Sequence, residues 1–420
     1  MRSRDGPTLS SLQRRKRFTR AKQAMPVPTP FHPRTSALCT SYRWKDWAGF
    51  YAVCSYDTNH DREYFAFRHA AGLLDVSPLF KYRVEGRDAA EFLAFVMTRD
   101  IRRLKPGQVT YCCFCDSKGK VIDDGTVARL EDSVYRVTSA SPSLRWLQEH
   151  ARGFSVGIAD DSESVAALAL QGPTSRSVLR DASEGTDLDA LRFFRIQPAR
   201  IGSARVEISR TGYTGDLGYE IWMKNEDALE VWDRIHLAGV PHGLVPAGLD
   251  ALDVTRVEAG FILQGVDYYS ATRCPIESRK SSPFEIGLGW TVDLDRDPFL
   301  GQGALQREKA TGSRWALVGL EISWEEMESL YEEHGLPPHL PATAWRTAVP
   351  IYDGERQIGR ATSGSWSPLL KQNLALASVE ERYSRPGTAI RIEHTAEYER
   401  RTVTARVVPR PFFDPERKKA

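Results

Sequence analysis

Adjacent carboxylates, Asp123-Asp124, begin a strand after the turn Asp116-Ser117-Lys118-Gly119-Lys120, and strand alternation sends one side chain inward and the other toward solvent. An inward aspartate flanked by Ile122 and Val127 is desolvated, which is costly unless it binds something; a turn-capping aspartate is the competing reading. A second candidate is the glycine-punctuated run Arg210 to Glu220 (RTGYTGDLGYE), which carries Tyr213 and Tyr219 into a strand. Its three glycines would let the backbone approach a planar ligand, and Glu220 could accept a pair of hydrogen bonds from a ring amide and an exocyclic amine. An ordinary hairpin fits the same residues. The third is Asp253 to Gly260 (DVTRVEAG), where Arg256 on a rather apolar helix needs a carboxylate or ring partner; an ion pair with Asp253 or Glu258 is the alternative.

Other chemistries find little support. Cys112, Cys113 and Cys115 cluster, yet on a strand Cys113 and Cys115 share a face and Cys112 takes the other. No second CxxC or paired histidine spacing completes a tetrahedral zinc site, so core packing is preferred to metal or redox work. The run LGQGALQ (300–306) lacks the third glycine and the preceding strand of a dinucleotide fingerprint, and neither a Walker loop nor a GxSxG elbow is found.

The chain has 420 residues, a prior for two to three domains. With 57 Lys+Arg against 55 Asp+Glu, the net charge of +2 gives no global field for nucleic acid or membrane. No run approaches 18 apolar residues. Six cysteines are too few for a disulfide scaffold, which makes a reducing cytoplasm the expected compartment. Residues 1–30 are Arg-rich and acid-poor, and read as a basic disordered tail, with a targeting segment as the alternative.

These candidates must be held by an α+β arrangement. Helices are expected at Glu63 to Leu74, Ala89 to Thr98, Ala228 to Leu237 and Asp250 to Gly260. Strands are expected at Lys81 to Val84, Val109 to Phe114, Val121 to Leu130, Val165 to Leu170, Val206 to Ser209 and Tyr219 to Met223. The Gly-, Gln-, Lys- and Arg-rich segment Gly301 to Ser313 is taken as a domain boundary, which divides the chain into 31–310 and 314–420. Beyond it, short β-rich runs (Ala316 to Glu321, Val349 to Tyr352, Ile358 to Ser363, Leu374 to Val379, Thr388 to Ile392, Val403 to Val408) predict a small barrel or sandwich, with Glu325 to His334 as an exposed acidic insertion.

In order, GLLDVS (72–77), GKVIDD (119–124), ALQGP (169–173), RTGYTG (210–215), RVEAG (256–260) and SGSWSP (363–368) resemble the aminomethyltransferase (glycine cleavage T-protein) family and its folate-dependent demethylase relatives, over about Trp44 to Pro415. The resemblance implies a multi-domain α+β fold, with two intertwined subdomains around a central tetrahydrofolate channel and a C-terminal β-barrel closing it. It further implies that Asp124 is the catalytic aspartate and that Glu220 holds the pterin ring. Tyr111, Tyr213 and Arg256 fall where the family contacts folate. The implied reaction is transfer of an aminomethyl or methyl group from a small-molecule donor to N5 of tetrahydrofolate, with no covalent enzyme nucleophile. A lipoylated carrier protein is an implied partner.

Departures bear on the donor. Pro78 stands where the family writes histidine, Ser139 where it commonly offers asparagine, and the early Phe-Ala-Gly-Trp phrase reads Trp47-Ala48-Gly49-Phe50. The stretches Gly265 to Pro283 and Glu325 to His339 are longer than in the plain T-protein. Tyr268 and Tyr269 in the first could donate a proton to an ether oxygen, which makes O- or S-demethylation an alternative. Folate-binding relatives that assist iron–sulfur cluster assembly provide a third reading, but their KGCYxGQE-like segment is replaced here by the 210–220 loop.

Overall fold

The computed structural model describes residues 25–420, so most of the expected basic tail lies outside the described residues. Residues 25–30, included in that tail, instead lie against the structure: Val27 bridges Phe50, and the Thr29 hydroxyl donates to Asp75 Oδ2 at 2.6 Å.

Two sheets make the first part of the chain. A six-stranded sheet joins β3 (Ala71–Asp75), β9 (Val165–Gln171), β10 (Ile196–Ile201), β11 (Ala204–Ser209), β12 (Gly218–Lys224) and β13 (Leu244–Pro246), in the order β10-β11-β12-β9-β3-β13. A five-stranded sheet runs β5 (Gln108–Cys115), β6 (Val121–Glu131), β7 (Val134–Ser139), β4 (Phe80–Glu85), β8 (Gly157–Asp160). A hairpin of β1 (Arg43–Trp47) and β2 (Phe50–Ser55) precedes them. The five-stranded sheet is inserted in the chain between β3 and β9, which pair with each other, so neither sheet is a contiguous segment.

Alternation fixes what each face does. On β12, Tyr219, Ile221 and Met223 enter the core under the helices Ser175–Ala182 and Ala228–Gly239, while Trp222 packs with Val109, Ala128 and Ile196 between the two sheets. The opposite face of the five-stranded sheet buries Cys112, Phe114 and Ile122 under the helix Ala89–Val96. All three clustered cysteines are buried free thiols, and Cys113 and Cys115 join a third cluster with Tyr268, Leu317 and Leu376. Leu317 and Leu376 belong to the closed barrel β14 (Trp315–Ile322), β17 (Gln372–Glu380), β16 (Arg356–Ser367), β15 (Val349–Asp353), β18 (Ala389–Ala396), β19 (Glu399–Val408), named in barrel order. The barrel therefore packs directly behind the acid-bearing strand.

Two expectations are corrected, for the helix at Glu63 to Leu74 and the acidic insertion, and the boundary segment takes a regular form. The helix at Glu63 to Leu74 is Asp61–His69 and is followed by strand β3; Ala71, Gly72, Leu73 and Leu74 are buried on both sheet faces, so they show no alternation by which to recognise a strand. The Gly301 to Ser313 boundary contains a helix, Gln302–Thr311, anchored by fully buried Leu305. The acidic insertion is the helix Trp324–Glu332, capped by the Ser323 hydroxyl accepting from the Glu326 amide, and its Met327 and Tyr331 are buried.

Candidate functional site

Asp123 and Asp124 occupy opposite faces of β6; Asp123 is sealed from solvent, whereas Asp124 keeps part of its surface accessible. Asp123 is fully buried and accepts from the backbone amides of Asp124 and Ser141, each at 2.9 Å. Asp124, paired across the ladder with Cys113, lies on the face shared with Tyr111 and turned toward the gap between the sheets. Gly125 permits the neighbouring strand to come close, since a Cβ there would lie 1.9 Å from the Thr138 carbonyl.

Two tyrosine hydroxyls hold the Asp124 carboxylate, Tyr111 on one oxygen and Tyr268 on the other. Tyr268 also reaches Asp123 Oδ1 at 3.4 Å. Burial raises the Asp124 carboxyl above the ordinary range, and the tyrosine hydrogen bonds oppose that rise. Asp123 is raised further, first by burial and then by the charge of Asp124, so within the pair Asp124 is the first to ionise. Tyr268 is 1% exposed and arrives on the long 265–283 segment. Tyr269 is only partly buried and makes an isolated backbone bridge with Lys280; the structure does not bring it to Asp124.

Glu220 lines a narrow cavity with Thr126, Thr138, Arg136, Ser209, Thr211 and Trp222. Thr126 is two positions beyond Asp124 on the same face of β6, about 7 Å along the strand, so the two acids look into one gap. The Thr211 hydroxyl donates to Glu220 Oε2 at 2.6 Å; burial raises the carboxyl, and Thr211 and the charge of Arg136 partly offset this. Tyr213 stacks on Phe261 at 5.4 Å and donates to the Ile262 carbonyl. The charges of Arg256 and Asp124 both reach its hydroxyl.

Two candidate ligand contacts also have partners inside the protein. Gly212 and Gly218 leave room for the Gln171 side chain, where a Cβ would sit 1.9 and 2.2 Å from Gln171 Oε1, rather than for a planar ligand. Gln171 Nε2 donates to the carbonyls of Thr211 and Tyr219, both at 3.2 Å, and so clasps the loop. Arg256, on the helix Leu249–Glu258, is paired through two of its nitrogens: Nε donates to Asp253 at 2.7 Å and Nη1 to Asp267 at 2.8 Å and to Ser363 of the barrel at 3.0 Å. Its Nη2 is buried without a partner. The ion-pair reading holds for Asp253, while Glu258 is instead taken by Arg68 at 2.5 Å.

Sequence reading missed Arg136, Asp267 and Trp290. Trp290 stacks on Tyr111 at 6.0 Å, with the Arg99 guanidinium 5.2 Å from its ring. Arg136 was visible as a charge within the apolar alternation of Val134 to Thr138. Asp267 and Trp290 had no local signal, because their partners lie far away in sequence.

Face-to-face sheets with acids in the gap, closed by a six-stranded barrel, are the T-protein type of α+β fold. Residues 31–296 match the GCVT N-terminal domain and residues 335–414 the glycine cleavage T-protein C-terminal barrel domain. The chain belongs to the glycine cleavage T-protein family, a tetrahydrofolate-dependent family of aminomethyltransferase-type enzymes. It is 36% identical to an aminomethyltransferase of Halothermothrix orenii, over 84% of this chain and 90% of that protein. It is also 34% identical to a trimethylamine-oxide aldolase of Ruegeria pomeroyi, over 94% of this chain but 48% of that longer protein. The crystal structure of a glycine cleavage system aminomethyltransferase T from Bartonella henselae shares the fold, with a TM-score of 0.78 at 24% identity, covering 92% of this chain and 98% of that one. Among the described residues, no helix is long and apolar enough to cross a membrane, and no His, Cys, Asp and Glu group is arranged to hold a metal ion.

Proposed function

We propose that the protein transfers an aminomethyl or methyl group from a small-molecule donor to N5 of tetrahydrofolate. The observation that carries this reading is the pairing of Asp124, held between two tyrosines, with Glu220 in the same inter-sheet gap. The fit to a pterin rests on Glu220: its carboxylate meets one side-chain donor, Thr211, and retains acceptor capacity toward a cavity walled by Trp222 and threonines. Glu220 and Thr211 would hold the ring edge, and Tyr111 and Tyr213 would flank the gap.

Tetrahydrofolate, when bound, supplies the nucleophilic nitrogen that takes up the one-carbon unit. Asp124, once ionised, accepts the proton released in the transfer and stabilises positive charge on the donor, in a largely desolvated setting. Tyr111 and Tyr268 fix the carboxylate in one rotamer, so that its lone pairs are aimed before substrate arrives. No side chain needs to form a covalent bond.

The donor is a free small molecule or a group on a lipoylated carrier. Tyr268 on the long 265–283 segment supports a free donor, since it closes the wall at Asp124. An ether or sulfonium methyl donor is the second reading: Tyr268 would donate its proton to a departing ether oxygen, while a sulfonium leaves as a neutral thioether and needs none. The test is anaerobic turnover of tetrahydrofolate with amine, sulfonium and aryl methyl ether donors, comparing wild type with Asp124→Asn. Folate product from one donor class in the wild type alone supports the proposal. Equal turnover by the variant would remove Asp124 from the chemistry.

A further inference from the structure

The connection between β11 and β12, residues 210–217, carries Thr211 and Tyr213, yet the pairing of these two strands stops at Ser209 and Glu220. Its conformation must therefore be set by contacts from elsewhere. Gln171 clasps it from within the sheet. Residues 409–420, which follow the last barrel strand, return across the molecule and hold it at both ends. Arg417 makes a bidentate pair with Asp216, Nε to Oδ1 at 2.7 Å and Nη2 to Oδ2 at 2.8 Å. At the other end, the buried Arg210 guanidinium donates to the carbonyls of Arg417 and Lys418, each at 3.4 Å. Lys418 Nζ lies 5.2 Å from the ring of Phe261, on which Tyr213 stacks, so the same segment also backs that aromatic pair.

The side chain of Asp216 has no exposed surface, whereas that of Arg417 is 41% exposed. The other cation near Asp216 is Arg68, at 3.7 Å, and its guanidinium is committed to Glu258 and to the carbonyls of Thr214 and Thr255. Asp216 thus relies on Arg417 for its direct charge pairing. Without it, a buried carboxylate favours loop conformers that bring it to water.

We propose that Arg417 is a positioning residue for folate binding: through Asp216 it selects the loop conformer that sets Thr211 beside Glu220 and Tyr213 at the gap. The assignment rests on the folate reading above and extends it to a residue beyond the matched barrel domain, which ends at residue 414. The hydrogen bonds of the Arg417 guanidinium go to Asp216 and to the Arg68 carbonyl, not to Asp124 or Glu220. Its removal therefore lowers the share of chains competent to bind, and bound folate restores the loop by selecting that same conformer.

The test combines calorimetric titration of 5-formyltetrahydrofolate, an air-stable reduced folate, with amide hydrogen exchange of residues 210–217. It compares wild type, Arg417→Met, Arg417→Lys and the neighbouring Lys419→Met, with thermal melts to establish folding. In Arg417→Met, exchange in the loop is expected to be about tenfold faster while the rest of the sheet is unchanged, and saturating folate is expected to restore protection. Affinity is expected to fall by about threefold to tenfold. Arg417→Lys keeps the charge but not the fork and is expected to fall between, which preserves both readouts if the Met variant does not fold. Lys419, which pairs with Asp414, is expected to be replaceable within about twofold on both measures. Faster loop exchange with unchanged affinity would overturn the proposal, as would weaker binding with unchanged exchange. Losses in Lys419→Met as large as those in Arg417→Met would overturn it too, because the effect would then belong to the segment as a whole. Each of these leaves the folate reading in place. Failure of the wild type to bind would overturn that reading and the proposal with it.

Discussion

The Tyr268 hydroxyl donates to Asp124 across 144 residues of sequence, and Tyr111 meets the other oxygen of the same carboxylate. Each bond favours the ionised form and opposes the rise that burial imposes. Tyr268→Phe deletes one of them, so the Asp124 carboxyl moves further up. The acid limb of the kcat/KM profile should shift toward higher pH by about one to two units, the equivalent of one hydrogen bond to a charged group. Tyr111→Phe should shift it the same way. A limb that does not move in either variant would show that Asp124 does not govern it.

Arg256 bridges Asp253 and Asp267 inside the molecule and touches barrel residue Ser363. Arg256→Met would strand Asp267 as a buried charge held by Thr362 and Ser363 hydroxyls and the Leu263 amide alone. Loss of about 3–5 kcal/mol in urea unfolding is expected, as for other broken buried pairs. Wild-type stability in the variant would mean that the arginine serves a ligand and not the fold.

Lys81 is fully buried, with its ammonium donating to the Ser77 carbonyl at 2.7 Å, and burial lowers it to about 8. Between pH 8 and its ordinary value the unfolded chain binds more protons than the folded one, so stability rises with pH across that window. The contribution is about 3 kcal/mol over the full range. Lys81→Met should flatten this rise in a comparison of urea midpoints at pH 7.5 and 10. A slope equal to that of the wild type would rule Lys81 out as its source.

The sequence revealed the strands best where one face is polar. On β12 the alternation of Tyr219, Glu220, Ile221 and Trp222 marked both the strand and the acid that leaves the core. β3 is buried on both faces and had no alternation to show, so it was absorbed into the preceding helix. The acids at Asp124 and Glu220 stood out because carboxylates in apolar strands need a reason. Tyr268 stood out as a candidate proton donor, but its bond to Asp124 did not, and Trp290 against Tyr111 gave no signal, since both come from a segment without a regular period and meet β5 and β6 only through the fold. The glycines of the 212–218 loop were read as space for a ligand. The space is filled by Gln171, a residue some 40 positions upstream that no local pattern connects to them.

Binding falls to Glu220 and chemistry to Asp124. Calorimetric titration of tetrahydrofolate under anaerobic conditions, into wild type, Glu220→Gln and Asp124→Asn, tests that division directly. Glu220→Gln should weaken binding by roughly 10- to 100-fold, the equivalent of losing charge-assisted hydrogen bonds. Asp124→Asn should keep near-wild-type affinity while its turnover with any accepted donor falls by about 100-fold or more. Wild-type affinity in Glu220→Gln, or absence of folate binding in the wild type, would contradict it.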